Sequence, residues 1–180
     1  MVSAMAAAAA RDTAQIWQWL EEVTDPEIPV LSVLDLGLVR DVRWQRGTAG
    51  EELVVTVTPT YSGCPAMDVI AQSIEQALRD HGIERLRLET RLSPAWTTDW
   101  LTEKGRSRLR EFGIAPPAGP AAPRVVDISG LRRRRPEHGI ACPRCGSADT
   151  ALLSRFGSTA CKAQYRCNAC LEPFDYFKSH

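Results

Sequence analysis

Long apolar segments are missing from this sequence. No stretch approaches the roughly 20 consecutive apolar residues that cross a bilayer, so we expect no membrane partner. An alanine-rich tract occupies residues 5–10, but no basic residue precedes it and no leucine-rich segment follows it. A secretory signal requires both features. We therefore expect a cytoplasmic protein in which residues 1–12 form a disordered or frayed tail.

Two common catalytic signatures are also missing. The sequence contains no Glu-x-x-His pair, the motif with which helical bundles bind two iron ions. No glycine-rich fingerprint follows a predicted strand, so neither a flavin site nor a dinucleotide site is indicated. We therefore expect that the protein is not itself an oxygenase or a reductase.

Net charge is zero as well, but the charges are unevenly distributed. Residues 1–123 contain 12 Lys and Arg against 17 Asp and Glu, whereas residues 124–180 contain 10 against 5. Residues 115–123 hold four prolines and a glycine among small side chains, which is typical of a linker. We expect a first domain over residues 13–114, a Pro/Ala/Arg-rich linker over 115–136 and a second module over 137–180.

The first domain shows both helical and strand periodicity. Apolar residues recur at three- and four-residue spacing in some segments and alternate or run continuously as β-branched residues in others. The expected elements are a helix over 13–22, strands over 36–44 and 53–58, a helix over 65–80, a strand over 84–92 and a helix over 99–112. This order predicts an α+β fold with a mixed three-stranded sheet.

The second module contains five of the six cysteines. Cys142 and Cys145 are separated by two residues, and so are Cys167 and Cys170. This spacing lets a tight turn point both sulfur atoms at one ion, and two such turns form a tetrahedral four-sulfur site. In a protein that is not secreted, the pattern favours a metal over disulfides. We expect a zinc ribbon over 137–180, stabilised by its metal, with an iron–sulfur cluster as the alternative to zinc.

Cys161 is a fifth cysteine in this module and belongs to neither pair. It lies six residues before Cys167. An additional thiol could join an iron–sulfur cluster or act as a ligand in metal delivery. Cysteine is also often buried without any chemistry. The sequence leaves both interpretations of Cys161 open.

Cys64 stands alone in the first domain, directly before Pro65 and the predicted helix. Proline suits the first position of a helix, so Cys64 is expected beside the helix N-terminus, where amides and the helix dipole favour a thiolate. Such a thiol could be a nucleophile, an open metal ligand or only a half-buried capping residue. His81 is predicted at the far end of the same helix, which does not favour a Cys–His hydrolase.

Four consecutive arginines occupy residues 132–135. A basic run next to a zinc ribbon is one feature of nucleic-acid-binding proteins. No aromatic residues interleave with this run, although stacking on bases requires them. The run therefore favours a solvated or partner-docking segment over a nucleic-acid site.

Three motifs in the first domain carry a resemblance to a known family. Residues 25–29 (DPEIP), 35–39 (DLGLV) and 60–65 (TYSGCP) resemble motifs of the metal–sulfur cluster assembly domain of iron–sulfur maturation factors. The second module adds residues 142–145 (CPRC), 156–162 (FGSTACK) and 172–178 (EPFDYFK). With these, the chain as a whole resembles the PaaD family of phenylacetate-degradation proteins.

The resemblance implies an accessory factor that matures the di-iron or iron–sulfur centres of the multicomponent phenylacetyl-CoA epoxidase in aerobic phenylacetate catabolism. It implies that Cys64 binds iron or a cluster transiently and that Asp25 and Glu27 belong to an acidic loop near it. Whether these carboxylates are ligands or shape a turn stays open. The implied partners are the oxygenase or reductase components, and a homo-oligomer stays open too. The alternative is a stoichiometric structural subunit of the epoxidase complex.

Overall fold

The computed structural model describes residues 13–47, 50–118 and 140–179. The predicted tail, most of the predicted linker and the four arginines at 132–135 lie outside these ranges. The elements are α1 Thr13–Leu20, β1 Val39–Gly47, β2 Gly50–Val57, α2 Ala66–Asp80, β3 Leu86–Thr90, a 3-10 turn Thr98–Trp100, α3 Glu103–Phe112, β4 Ile114–Ala115, β5 Thr150–Ser154, β6 Lys162–Cys167 and β7 Pro173–Phe177.

The first sheet has the strand order β1-β2-β3. A hairpin makes β1 and β2 antiparallel, and β3 joins β2 in parallel after the crossover through α2. The central strand is buried because its β-branched run faces packed side chains on both sides of the sheet. Helices α1 and α2 contribute Ile16, Leu20, Ile70 and Ile74 to the core. The predicted α+β fold with a mixed three-stranded sheet is confirmed.

The second sheet has the order β4-β7-β6-β5. Strands β5, β6 and β7 form an antiparallel meander that contains the predicted ribbon. The short β4 comes from the end of the first predicted domain and pairs in parallel with β7, Ile114 opposite Asp175 and Ala115 opposite Tyr176. Ala115, at which the predicted linker begins, is thus a residue of the second sheet.

Two element boundaries differ from the sequence-based expectation. The helix expected over residues 99–112 is divided into a 3-10 turn and α3, because Thr102 caps α3 by accepting a hydrogen bond from the Gly105 N–H. The strand expected from residue 36 begins at Val39, because Asp35 holds the preceding residues in turns. Its carboxylate accepts from the Ser32 N–H, and the Ser32 hydroxyl accepts from the Asp35 N–H.

Contacts between the two sheets fix their relative position. Phe177 at the end of β7 is buried in the core of the first sheet, with its ring centroid 6.1 Å from that of Trp96. Cys161, directly before β6, belongs to the same core. The C-terminal cysteine module is therefore packed against the first sheet at the residues that precede β6 and end β7. In the described part of the chain, no helix has the length and apolar character needed to cross a membrane.

Candidate metal sites

The four cysteines of the two Cys-x-x-Cys pairs come together at one end of the second sheet. Their sulfur atoms all lie within 4.8 Å of one another. The Cys142 and Cys170 sulfurs are 3.8 Å apart, and those of Cys145 and Cys167 are 3.5 Å apart. Each contact joins one pair to the other, so the two turns face each other across a common centre.

Backbone turns create this arrangement. The Gly146 N–H donates to the Cys142 carbonyl oxygen at 2.9 Å, and Gly146 has a φ of 75°, a left-handed conformation that glycine adopts without strain. In the second pair the Cys170 N–H donates to the Cys167 sulfur at 3.4 Å. This hydrogen bond is the largest cause that lowers the pKa of Cys167, to about 6. The second turn is therefore built to stabilise a thiolate.

The donor set fits a tetrahedral ion that prefers sulfur. Four thiolates in a closed group are the usual ligands of structural zinc. The site is anchored from one side, since Cys142 and Cys167 are buried in a small core with Phe174 and Tyr176, while Cys145 is exposed. The four-cysteine group is thus suited to bind a metal such as zinc.

Cys64 lies in the turn between β2 and α2, one residue before the N-cap residue Pro65. Its thiol is half-buried and packs against the core of the first sheet. Burial raises the pKa of Cys64 above its ordinary value, although the N–H of Ala66 at the helix start lowers it. The sequence-based expectation that the helix start favours a thiolate is therefore wrong in its net direction, because desolvation outweighs the amide.

Asp25 and Glu27 lie in a turn next to this thiol. Oxygen Oδ1 of Asp25 accepts hydrogen bonds from the N–H groups of Glu27 and Ile28, each at 2.8 Å. Asp25 is only 8% exposed, and burial raises its pKa. Both carboxylates also raise the pKa of Cys64 through their charge. The structure thus places the two predicted acidic residues within electrostatic range of Cys64.

Cys161 reaches the same cluster from the second sheet. It is 6% exposed, and its sulfur lies 3.0 Å from the Thr159 hydroxyl. Burial raises the pKa of Cys161, and the charges of Glu27 and Asp25 raise it further. Cys161 is therefore separate from the four-cysteine group and shares its acidic neighbours with Cys64.

The phenol of Tyr61 links the two thiols. Its hydroxyl hydrogen-bonds the Cys64 thiol, which lowers the pKa of that thiol. Burial raises the pKa of Tyr61 to about 12, and the charges of Cys64 and Cys161 both contribute. One phenol thus interacts with a thiol from each sheet.

Lys162 is a residue of this cluster that the sequence-based reasoning missed. It is only 4% exposed, and its ammonium lies 3.8 Å from an Asp175 carboxylate oxygen. Its charge lowers the pKa values of Asp25 and Glu27. Burying a lysine is costly unless acidic groups surround it. The one sequence signal was its position directly after Cys161.

The cluster of Cys64, Cys161, Asp25 and Glu27 is more open than the four-cysteine group. Among the residues that the structure describes, the four cysteines are the one set of three or more potential ligands whose atoms all lie within 4.8 Å. His81 does not join Cys64, because it caps the opposite end of α2 and stacks on Trp19 with ring centroids 4.2 Å apart.

Comparisons with known proteins divide the chain into the same two parts. The family model of the PaaD zinc beta ribbon domain matches residues 128–178, and that of the iron–sulfur cluster assembly protein family matches residues 13–84. The chain is 49% identical over 164 residues to a protein of Escherichia coli K12 described as a putative 1,2-phenylacetyl-CoA epoxidase component, with 91% of each chain covered. It is 31% identical over 91 residues to the Fe-S protein maturation auxiliary factor YitW of Bacillus subtilis 168, covering 50% of this chain and 85% of that protein.

Solved structures are similar to the first part of the chain. A domain of unknown function, DUF59, from Bacillus anthracis is 24% identical with a TM-score of 0.48, covering 53% of this chain and 89% of that one. A Mycobacterium tuberculosis protein associated with Fe–S complex assembly and repair is 34% identical with a TM-score of 0.36, covering 62% of this chain and 94% of that one.

Proposed function

The chain belongs to the PaaD family, and on that premise we propose that it is a non-catalytic maturation factor for the metal centres of a phenylacetyl-CoA epoxidase. The family relationship alone does not separate a maturation factor from a structural subunit. The observation that carries the proposal is the surroundings of Cys64, a half-buried thiol with two carboxylates and a second thiol in electrostatic range. In this proposal, iron or an iron–sulfur cluster is cargo that Cys64 binds and releases.

The electrostatics of Cys64 suit temporary binding. Because the pKa of the thiol is raised, most molecules carry the proton at neutral pH, and an incoming metal must displace it. Displacing a proton lowers the apparent affinity for the metal. The neighbouring carboxylates attract a cation, so the site combines electrostatic attraction with easy release.

The four-cysteine group has a different role in this proposal. We assign zinc to it as a resident structural ion, because four sulfur ligands leave no open coordination position. A metal that completes the core of Phe174 and Tyr176 would stabilise β5, β6 and β7 as one unit. That unit holds Cys161 and Lys162 against the first sheet.

A stoichiometric structural subunit is the second candidate function. The observation that favours it is a set of exposed apolar side chains in the second sheet and its loops, namely Leu152, Leu153, Phe156 and Leu171. Exposed apolar residues concentrated in one module are typical of a binding surface. A stable complex with the oxygenase or reductase component would then form whether or not Cys64 is present.

Replacement of Cys64 separates the two functions. The epoxidase components are produced together with the wild-type chain, with Cys64→Ser or with the control Ser62→Ala, whose hydroxyl is exposed in the same turn. A maturation role predicts that the purified oxygenase and reductase contain at least tenfold less iron with Cys64→Ser, and normal iron with Ser62→Ala. Full metallation with Cys64→Ser, together with an intact complex in size-exclusion chromatography, would reject the maturation role and favour the structural one.

A further inference from the structure

The two thiols that lie outside the four-cysteine group converge on the same acidic turn although they come from different sheets. Cys64 precedes α2, and Cys161 precedes β6. Asp25 and Glu27 act on the charge of both thiols, and Tyr61 interacts with both. This shared set of neighbours defines one cluster at the junction of the two sheets.

The position of Cys161 is fixed by the packing of the second sheet. The Lys178 N–H donates to the Cys161 carbonyl oxygen at 2.9 Å, which ties the residue to the end of β7. Phe177, the preceding residue, is buried in the core of the first sheet. Cys161 is therefore held at the junction by backbone pairing on one side and by the shared core on the other.

The neighbours of Cys161 are not those of a purely structural cysteine. A buried structural cysteine normally has apolar surroundings, where its thiol stays inert. Cys161 instead has a hydroxyl at 3.0 Å, a nearly enclosed lysine beside it and two carboxylates in electrostatic range. Concentrating ionisable groups in a buried place costs stability, and such concentrations are typical of functional sites.

We infer that Cys64 and Cys161 bind one divalent iron ion together, so that the cargo site is shared between the two sheets. This inference rests on the proposed function in one respect, since it makes the bound ion the cargo of the maturation step. Sulfur from two thiolates with oxygen from carboxylates or water suits ferrous iron, whereas the closed four-sulfur group suits zinc. The remaining coordination positions stay open for a ligand of the receiving protein.

The binding step is a simple exchange of protons for metal. Each thiol loses its S–H proton to solvent and forms one sulfur–metal bond, so one ion releases two protons and stays divalent. The two thiolates balance the charge of the ion. Lys162 offsets the carboxylates, which keeps the loaded cluster near neutrality and favours release over permanent binding.

Cobalt(II) is the probe that tests this inference. It is added without oxygen to the full-length protein after the four-cysteine group has been saturated with zinc. Absorption from thiolate-to-cobalt charge transfer grows with the number of cobalt–sulfur bonds. The wild-type chain should show the absorption of two such bonds. Cys64→Ser and Cys161→Ser should each show half of it with at least tenfold weaker binding, and the double variant should show none.

Controls and a second readout keep the test decisive. Ser62→Ala and Ser158→Ala change exposed hydroxyls near each thiol and should bind cobalt like the wild type. Zinc content near one per chain verifies that Cys161→Ser keeps the second sheet intact. If that variant fails to fold, proton release from the wild type at pH 7.5 decides the question, because two protons per cobalt support the pair and one overturns it. Wild-type absorption and affinity in Cys161→Ser would also overturn the inference.

This result can fail separately from the proposed function. Two-thiol cobalt binding combined with a normally metallated epoxidase in the presence of Cys64→Ser would keep the shared site and reject the maturation role. One-thiol binding combined with an iron-poor epoxidase would keep the maturation role and reject the shared site.

Discussion

Oxygen Oδ1 of Asp25 accepts a hydrogen bond from the backbone N–H of Ile28 at 2.8 Å, and this bond closes the turn that holds Glu27 beside Cys64. A second bond of the same length joins Oδ1 to the N–H of Glu27. The sequence left open whether Asp25 is a ligand or shapes the turn. We now propose that Asp25 shapes the turn and that Glu27, which is more exposed, supplies negative charge to the site.

Replacement of Asp25 should therefore affect stability through lost hydrogen bonds. We expect Asp25→Ala to lower the free energy of unfolding by about 1–3 kcal/mol, because two backbone N–H groups lose their acceptor. Asp25→Asn keeps a side-chain oxygen and removes a charge that is costly to bury, so its effect should stay within about 1 kcal/mol. Urea unfolding measures both, with the exposed Glu22→Ala as control. Equal stability of Asp25→Ala and Glu22→Ala would contradict the shaping role.

Alkylation of Cys64 should report its raised pKa. Only the thiolate reacts, and a raised pKa leaves less thiolate at neutral pH than a free cysteine has. The rate of alkylation by iodoacetamide, measured at Cys64 by mass spectrometry, should rise with pH and have its midpoint above 9.0, the ordinary value. A midpoint at or below 9.0 would show that the helix start, and not burial, controls this thiol.

Glu27→Gln refines the same experiment. Removing the Glu27 charge removes one of the causes that raise the Cys64 pKa, so the midpoint should move to lower pH. Glu84→Gln removes an exposed carboxylate elsewhere and should leave the midpoint unchanged. An identical midpoint in both variants would mean that Glu27 does not act on Cys64.

Zinc binding should depend on four cysteines and not on the fifth. Serine at any one of the four ligand positions should reduce the zinc content from about one per chain to a small fraction, because an incomplete sulfur set binds weakly. Cys161→Ser should keep about one zinc per chain. The four variants are Cys142→Ser, Cys145→Ser, Cys167→Ser and Cys170→Ser.

Removal of this zinc should loosen one sheet and spare the other. Hydrogen exchange in metal-free protein should accelerate in β5, β6 and β7, whose small core surrounds the cysteines, while β2 keeps its protection inside the first sheet. Normal protection of β6 after complete metal removal would mean that the ion does not stabilise the fold.

The sequence predicted those elements whose patterns are local. The run of β-branched residues in β2 and the helical spacing in α2 each identify one element over its own length. The two residues of β4 are too few to have any periodicity, and their strand exists only because β7 lies beside them. The division of the last helix depends on the Thr102 cap, whose hydroxyl also donates to Asp35, far away in sequence.

Prediction of the site follows the same division. The spacing of Cys142 and Cys145, repeated in the second pair, predicts a common sulfur centre because two-residue turns are local geometry. The direction of the Cys64 pKa could not be predicted, since burial depends on the whole fold. The convergence of Cys161 and Lys162 on Asp25 depends on the packing of one sheet against the other, which no local pattern records.

Direct transfer of iron is the measurement that tests the maturation role most closely. The protein is loaded with ferrous iron without oxygen and mixed with metal-free oxygenase or reductase component, in the presence of a chelator that captures free iron. We predict that the wild-type chain restores iron to one of these components, and that Cys64→Ser restores at least tenfold less. Equal iron acquisition with the wild type, with Cys64→Ser and with free iron alone would contradict the account.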